Sequence, residues 1–423
     1  MFLLFFIFAI GLFLFIPQQV SAIPAFARQY KVSCSTCHAA FPRLNSYGEQ
    51  FADENYRMPN WKDTVLDTGD NMLSMPKYVP LSIRAMAYAQ IREGKYIDPV
   101  SGDEEKAETD FQAPYMIKIL SSAPLSERIS FYFYGILAEK GENGTVIVED
   151  AWFSYSSIFD TGIDFMIGQF QISDLMFPRE LRLTFQDYMI YRMAGITYDR
   201  GVIFSKSLDT LSFDLGLVNG NGIEDNLKIN SPGYKRPDHM FDNDRKKTIF
   251  GRVGVDIGGI SAGFFGLYGK HKTKKTTNAG TDSGNRYADK KIYGIDISGN
   301  IEDRVYYFFQ YLYNDWGKYF DDTPGRSYKW GGIFAGVDYI FSDRVVLSAL
   351  YNFADAGDFD GTSTVYEGIN INTITLTYSY YFMRNVKGII EATYDFQSKD
   401  SDPDFVGHES KEGYILIGFD AAF

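Results

Sequence analysis

The sequence predicts an all-β chain, a closed antiparallel transmembrane β-barrel of about 16 strands with a small segment of short helices and loops in front of it. Three observations carry this prediction. After residue 22 no apolar run reaches the roughly 18 residues that a membrane-crossing helix needs. Aromatic residues nevertheless make up 17% of the chain, with 31 Tyr and 36 Phe, so the apolar surface is spent in another pattern. That pattern is a period of two, in segments of about 9 to 12 residues from residue 81 onward, the length at which a tilted strand crosses a bilayer.

The first unit is residues 1–22. Met1 to Pro17 is almost wholly apolar, and Val20-Ser21-Ala22 follows as a small-residue cleavage signal, which reads as a secretory signal peptide with Ile23 as the mature start. No Lys or Arg precedes the apolar run, which leaves an uncleaved anchor as the alternative.

Residues 23–80 are the second unit and hold the chain's only cysteines, in Ser33-Cys34-Ser35-Thr36-Cys37-His38-Ala39. Two thiols three positions apart can each form a thioether to a haem vinyl group, while the next side chain sits beneath the iron. The spacing therefore predicts one covalent haem c, with Cys34 and Cys37 as attachment points and His38 as proximal ligand. A redox disulfide between Cys34 and Cys37 is the first alternative, but it has no need of His38. A zinc site is the second, yet zinc takes four ligands, and the other histidines, His239, His271 and His408, are scattered far from the motif.

The sixth iron ligand predicted is Met58, in Tyr56-Arg57-Met58-Pro59, with Met75 as runner-up and Met72 also within reach. Phe41, Leu44, Tyr47 and Phe51 recur at spacings of three and four, an apolar stripe that covers either a haem face or the barrel wall. Arg28 and Arg43 flank the motif as candidates for haem propionate contacts, since guanidinium matches carboxylate geometry. A segment this short cannot shelter a large cofactor alone, so it is expected to lie in the barrel lumen or to cap it.

Residues 81–423 are the barrel. Leu81, Ile83, Ala85, Ala87, Ala89 and Ile91 alternate with Ser82, Arg84, Met86, Gln90 and Arg92, and Ile374, Leu376, Tyr378 and Tyr380 stand opposite Thr375, Thr377 and Ser379. The same register recurs in Ile129, Phe131, Phe133 and Leu137 and in Leu211, Phe213, Leu215 and Leu217. Turns are expected at Asn219-Gly220-Asn221-Gly222, Gly258-Gly259 and Ser342-Asp343, and longer polar loops at 221–247 and 270–290. Closure solves the backbone problem in lipid, because only a barrel leaves no unpaired sheet edge. The formal charge of −13 argues against nucleic acid as a partner.

Three resemblances add to this reading. The terminal Gly413-Tyr414-Ile415-Leu416-Ile417-Gly418-Phe419-Asp420-Ala421-Ala422-Phe423 resembles the last strand by which bacterial outer-membrane barrels are recognised for assembly. The stretch from Glu149-Asp150-Ala151-Trp152-Phe153 through Ile167-Gly168-Gln169-Phe170-Gln171 to Tyr188-Met189-Ile190-Tyr191-Arg192 resembles the anion-selective porins. Pro24-Ala25-Phe26-Ala27-Arg28-Gln29, Cys34-Ser35-Thr36-Cys37-His38, Phe41-Pro42-Arg43-Leu44 and Tyr47-Gly48-Glu49-Gln50-Phe51 together resemble the fused monohaem cytochrome c–porins of the bacterial outer membrane.

Some members of that family oxidise ferrous iron at the cell surface. The resemblance implies an outer-membrane protein, set in outer-membrane lipid, that carries electrons between an extracellular donor such as Fe(II) and a periplasmic c-type cytochrome. Where the iron-oxidising members have Thr-Gly after the Phe-Ala-Arg-Gln run, this chain has Tyr30-Lys31, and fusion to a porin is better supported than iron as substrate. A strict iron(II):cytochrome oxidoreductase would bind Fe(II) through loop carboxylates such as Asp103-Glu104-Glu105 or Asp321-Asp322. The rival from another class is a solute-conducting porin whose haem segment is a plug or redox sensor.

Overall fold

A computed structural model describes residues 25–58, 66–70, 72–92, 95–97, 104–106, 109–139, 147–220, 245–276, 282–320, 322–323, 325–362, 370–396 and 413–423. The expected signal peptide, Pro59, most of the 221–247 loop, His239, His408, Asp103 and Asp321 lie outside them.

Sixteen of the described strands form one closed antiparallel barrel, as the period-two pattern predicts, while Lys95–Ile97 and Glu104–Lys106 pair in a separate two-stranded ladder. The barrel's first half is β1 (Leu81–Arg92), β2 (Thr109–Pro124), β3 (Ile129–Glu139), β4 (Ile147–Tyr155), β5 (Asp164–Gln171), β6 (Tyr198–Leu208), β7 (Leu211–Val218) and β8 (Thr248–Ile257). The second half is β9 (Ile260–Thr276), β10 (Asp282–Ile301), β11 (Val305–Gly317), β12 (Ser327–Ser342), β13 (Val345–Asp355), β14 (Ile371–Met383), β15 (Val386–Asp395) and β16 (Tyr414–Ala422). Each strand pairs with the next in sequence, and β16 closes on β1 with Ala85 opposite Ala421 and Ile91 opposite Ile415.

The alternation points the apolar row outward. On β14 Leu376 is 58% exposed, whereas Thr373, Thr375, Thr377 and Ser379 are buried inside. Leu211, Phe213, Leu215 and Leu217 on β7 are likewise exposed, and Gln310, Asn352 and Glu391 are buried. This is the reverse of a water-soluble protein and what hydrocarbon outside and a polar interior require. Tyr339, Phe341, Phe419 and Phe423 stand exposed near the short-turn end, where a girdle of aromatic side chains meets the headgroups. Among the described residues no helix is long and apolar enough to cross a membrane.

One end of the barrel has tight turns, at 209–210, 258–259, 302–304, 343–344 and 384–385. Gly258 and Gly259 take φ of 61° and 83° there, a left-handed conformation that glycine adopts without a Cβ clash. The other end carries the long connections, which orients the short turns toward the periplasm.

The polar stretch 270–290 is not a loop. β9 runs to Thr276 and β10 starts at Asp282, with Lys270 paired to Asp289. A hairpin ladder is made by backbone groups and persists where the sequence has lost its apolar face.

Ahead of β1 lies a small insert of α1 (Ala25–Tyr30), a hairpin of His38–Ala40 with Arg43–Leu44, and α2 (Ser46–Asp53). Asn45 caps α2, its side chain accepting from Gly48 N at 2.8 Å. The insert seats on the short-turn end. Ala25 N donates to Ser82 Oγ at 2.7 Å, Asn55 Nδ2 to Ser156 Oγ at 2.7 Å, and Ser46 Oγ to Asp303 Oδ1 at 3.0 Å.

Candidate functional site

The cysteine motif is a short turn held in shape by Asn45 and α2. Cys34–Thr36 forms a single 3-10 turn, and Asn45 clamps it, its Nδ2 donating to the carbonyls of Ser35 and Thr36 at 3.3 and 3.1 Å while its backbone N–H reaches Cys37 O at 3.0 Å. α2 then packs directly on the motif at Gly48, where any Cβ would overlap the Cys37 carbonyl oxygen. Only glycine allows that approach.

His38 is oriented by the hairpin. Its Nδ1 lies 3.0 Å from the Pro42 carbonyl oxygen, which can only accept, so Nδ1 carries the proton and the Nε2 lone pair is left for a metal. Burial pushes the His38 imidazole below its ordinary pKa, which favours this neutral, ligating form. Cys34 and Cys37 are free thiols, both pushed up by burial, and for Cys34 the nearby Arg384 partly offsets that rise.

Cys34, His38 and Phe41 form one wall of a crevice whose other wall is the barrel rim, with Asp343, Tyr381 and Arg384. Tyr381 Oη donates to the Phe41 carbonyl at 2.7 Å, and the Phe41 ring meets His38 edge-on with centroids 5.6 Å apart. Of the donor set that haem c needs, the crevice wall carries the Cys34 thiol, one imidazole with a fixed tautomer and an aromatic edge, while Cys37 does not line it. The enclosed part of the crevice measures about 10 Å³, so a porphyrin would lie at the open rim or part the hairpin from the β12–β14 wall.

The remaining sequence candidates are dispersed. Met58 does not line this crevice, and its Sδ accepts from Tyr47 Oη at 2.9 Å. Met72 and Met75 are exposed. Arg28 donates to the Leu81 carbonyl, and Arg43 is buried against Asp338 on β12, its Nε 3.0 Å from Oδ2. Both arginines are therefore committed to seating the insert. The apolar stripe divides because the chain turns at Pro42 before α2 begins. Phe51 joins Phe26, Tyr30 and Tyr56, and Tyr56 stacks on Tyr132 at 5.4 Å, so this group packs on the wall rather than in the crevice.

Sequence reasoning did not single out Asp338, Tyr381, Arg384 or Asn45 for the site. The first three sit on strands or turns whose local pattern reads only as barrel, and nothing in that pattern marks them.

The segment between β5 and β6, residues 172–197, enters the lumen from the other end. Leu183, Tyr188, Ile190, Tyr191, Ala194 and Ile196 are fully buried in it. Glu391 on β15 accepts from the backbone N–H groups of Phe185 and Gln186 at 2.6 and 2.8 Å, and Asn352 Nδ2 on β13 donates to Asp187 O at 3.1 Å. Tyr188 stacks on Phe334 at 4.3 Å. The two inserts meet at Arg43, whose guanidinium lies 5.0 Å from the Phe177 ring centroid and 5.4 Å from that of Phe308. Beside this contact a gap of about 210 Å³ is lined by Glu49, Asp256, Asn300 and Tyr307.

A family model described as beta-barrel porin-2, OmpL-like, matches residues 192–423. No curated protein matches the chain in sequence. Among solved structures the barrel is similar to an anion-selective porin from Comamonas acidovorans, with a TM-score of 0.52 at 13% identity over 81% of this chain and 99% of that one. It is also similar to a loop L8 deletion mutant of OmpT, an outer membrane protein of Vibrio cholerae, with a TM-score of 0.50 at 13% identity over 82% of this chain and 99% of that one. At these identities the likeness is one of fold.

Proposed function

The chain belongs to the OmpL-like β-barrel porin-2 family of the bacterial outer membrane, and from that premise we propose that it is a haem-carrying porin that passes electrons to or from a periplasmic c-type cytochrome. The observation that carries the proposal is His38, with Nδ1 held by the Pro42 carbonyl so that the ring's lone pair is on Nε2, directly behind two unpaired thiols. Covalent attachment adds each thiol across one vinyl group, forming an S–C bond and placing the thiol hydrogen on the other vinyl carbon, so no oxidant is needed. The bound haem would supply one-electron exchange.

The chain's own residues then have separate roles. Asn45 and Gly48 hold the motif backbone, Pro42 orients the imidazole, and Phe41 with the β12–β14 rim shields one side of the crevice. The crevice opens at the short-turn end, which faces a soluble periplasmic partner. A donor on the outer side, Fe(II) in the iron-oxidising reading, is separated from it by residues 172–197 and must be small enough to pass them. Met58 would serve as sixth ligand only after leaving Tyr47.

The test is haem staining and the mass of the band from outer-membrane fractions, followed by reconstitution in liposomes enclosing an acceptor cytochrome. Covalent haem and haem-dependent reduction are expected, and a band without haem would sink the reading. The second reading, a solute-conducting porin with a haem-bearing plug, is favoured by the gap beside Arg43. It predicts ion conductance in planar bilayers that survives Cys37→Ala.

A further inference from the structure

We infer that Arg384, on the turn between β14 and β15, is the cationic partner of a haem propionate, so that the barrel rim completes a site whose other half is the N-terminal insert. The inference rests on the haem reading above. The crevice has the Cys34 thiol and the His38 imidazole on one wall and Arg384 on the other, at the open rim. The two arginines near the motif in sequence are occupied, Arg28 by the Leu81 carbonyl and Arg43 by Asp338 in the barrel interior.

Arg384 is held less firmly. Its Nη2 lies 3.0 Å from Asp343 Oδ2, and the two side chains are 46% and 86% exposed. A solvent-exposed pair of this kind contributes little and exchanges readily. A propionate fixed at the rim by covalent haem presents the same carboxylate chemistry with less motion to lose, and the guanidinium fork suits it. A positive charge held there favours the reduced iron and the ionised propionate.

The experiment is a spectroelectrochemical titration of the full holoprotein, purified in detergent from outer membranes, across acid to alkaline pH. Arg384→Gln is expected to lower the midpoint potential and to move the propionate inflection in its pH dependence upward. Arg384→Lys should restore part of the potential, and Arg344→Gln, which removes an equal charge beside Asp343 from a side chain that does not line the crevice, should leave both features in place. Wild-type behaviour in Arg384→Gln, or an equal shift in Arg344→Gln, would overturn the assignment while leaving the haem reading intact. Wild-type protein without covalent haem would overturn the reading itself.

Discussion

The lumen is filled twice, by residues 25–58 from the periplasmic end and by residues 172–197 from the other, and the two fillings are built differently. The inner segment is part of the barrel's core: Leu183, Tyr188, Ile190, Tyr191, Ala194 and Ile196 are fully buried, and wall side chains hold its backbone at Phe185, Gln186 and Asp187. The N-terminal insert is a cap. Its hydrogen bonds run mostly to rim residues such as Ser82, Ser156 and Asp303, and it reaches the interior through the Arg43 ion pair and through Tyr56 and Ala40 packed on the wall. A segment interleaved with the wall cannot leave without unmaking the core, whereas a cap can detach as a unit. The comparison therefore assigns permanence to one filling and separability to the other.

The largest effect should come from the cap's interior fastening. Arg43 and Asp338 are both buried, so Arg43→Met leaves an uncompensated carboxylate and should weaken seating by about 3–5 kcal/mol. Protease cleavage within residues 25–58 and new conductance steps in planar bilayers would report it. Pairing Arg43→Met with Asp338→Leu should return most of the seating, because two apolar side chains of similar volume replace a buried ion pair nearly neutrally. A double variant as loose as the single one would mean that the buried charge pair itself, and not the relief of an unpaired carboxylate, governs the seating.

The counterpart in the inner segment is Glu391, which also accepts from Tyr414 Oη at 2.6 Å and Thr377 Oγ1 at 2.7 Å. Glu391→Ala should cost about 1–3 kcal/mol for each backbone N–H left unsatisfied. Because the aromatic packing around Tyr188 remains, the segment should stay in place, with noisier conductance but no new protease site in 172–197. Cleavage there would erase the distinction between the two fillings.

Gly48→Ala acts on the cap alone and should cost about 1–3 kcal/mol, the range for forcing an extra methyl into a packed site. Haem content per protein, read from the stained band, should fall while the barrel resists heat unfolding as before. Full haem loading would mean that α2 does not set the motif's shape.

How far each region was legible reflects the same division. The barrel announces itself because lipid imposes the period of two on nearly every strand, and Thr375, Thr377 and Ser379 facing in while Ile374, Leu376 and Tyr378 face out is read directly from the pattern. The cysteine motif was equally plain, since its spacing is the one that the proposed covalent haem would need. What brings the crevice together was not legible. Arg384 and Asp343 look like any short turn, and no local pattern tells that Asp338 waits for Arg43. Spacing also misled at Phe41 to Phe51, where a turn at Pro42 divides what would be one helical stripe. The hairpin at 270–290 was hidden for the opposite reason, because its backbone ladder carries no apolar signal.

The smallest effect should be a pH dependence confined to the cap. Glu49 and Asp53 lie one turn apart on α2, both with solvent-accessible side chains, and Glu49 also lines the gap beside Arg43. Burial first, then Asp53, with Asp303 and Asp256 further off and Arg43 opposing, pushes Glu49 from its ordinary 4.5 up to about 7. Burial first, then Asp256, Asp214 and Glu54, pushes Asp53 from 3.8 up to about 6. A carboxyl whose folded pKa is raised binds its proton more tightly when folded, so its contribution is fully present below the unfolded value and lost as pH rises through the folded one. The cap should therefore seat most firmly below about pH 4 and loosen between there and about pH 7, with protease cleavage in 25–58 rising over that window. Glu49→Gln with Asp53→Asn should flatten the rise and leave residues 172–197 unaffected. A cap that loosens toward acid would mean that ion pairs at the rim, rather than these crowded carboxylates, govern how it sits.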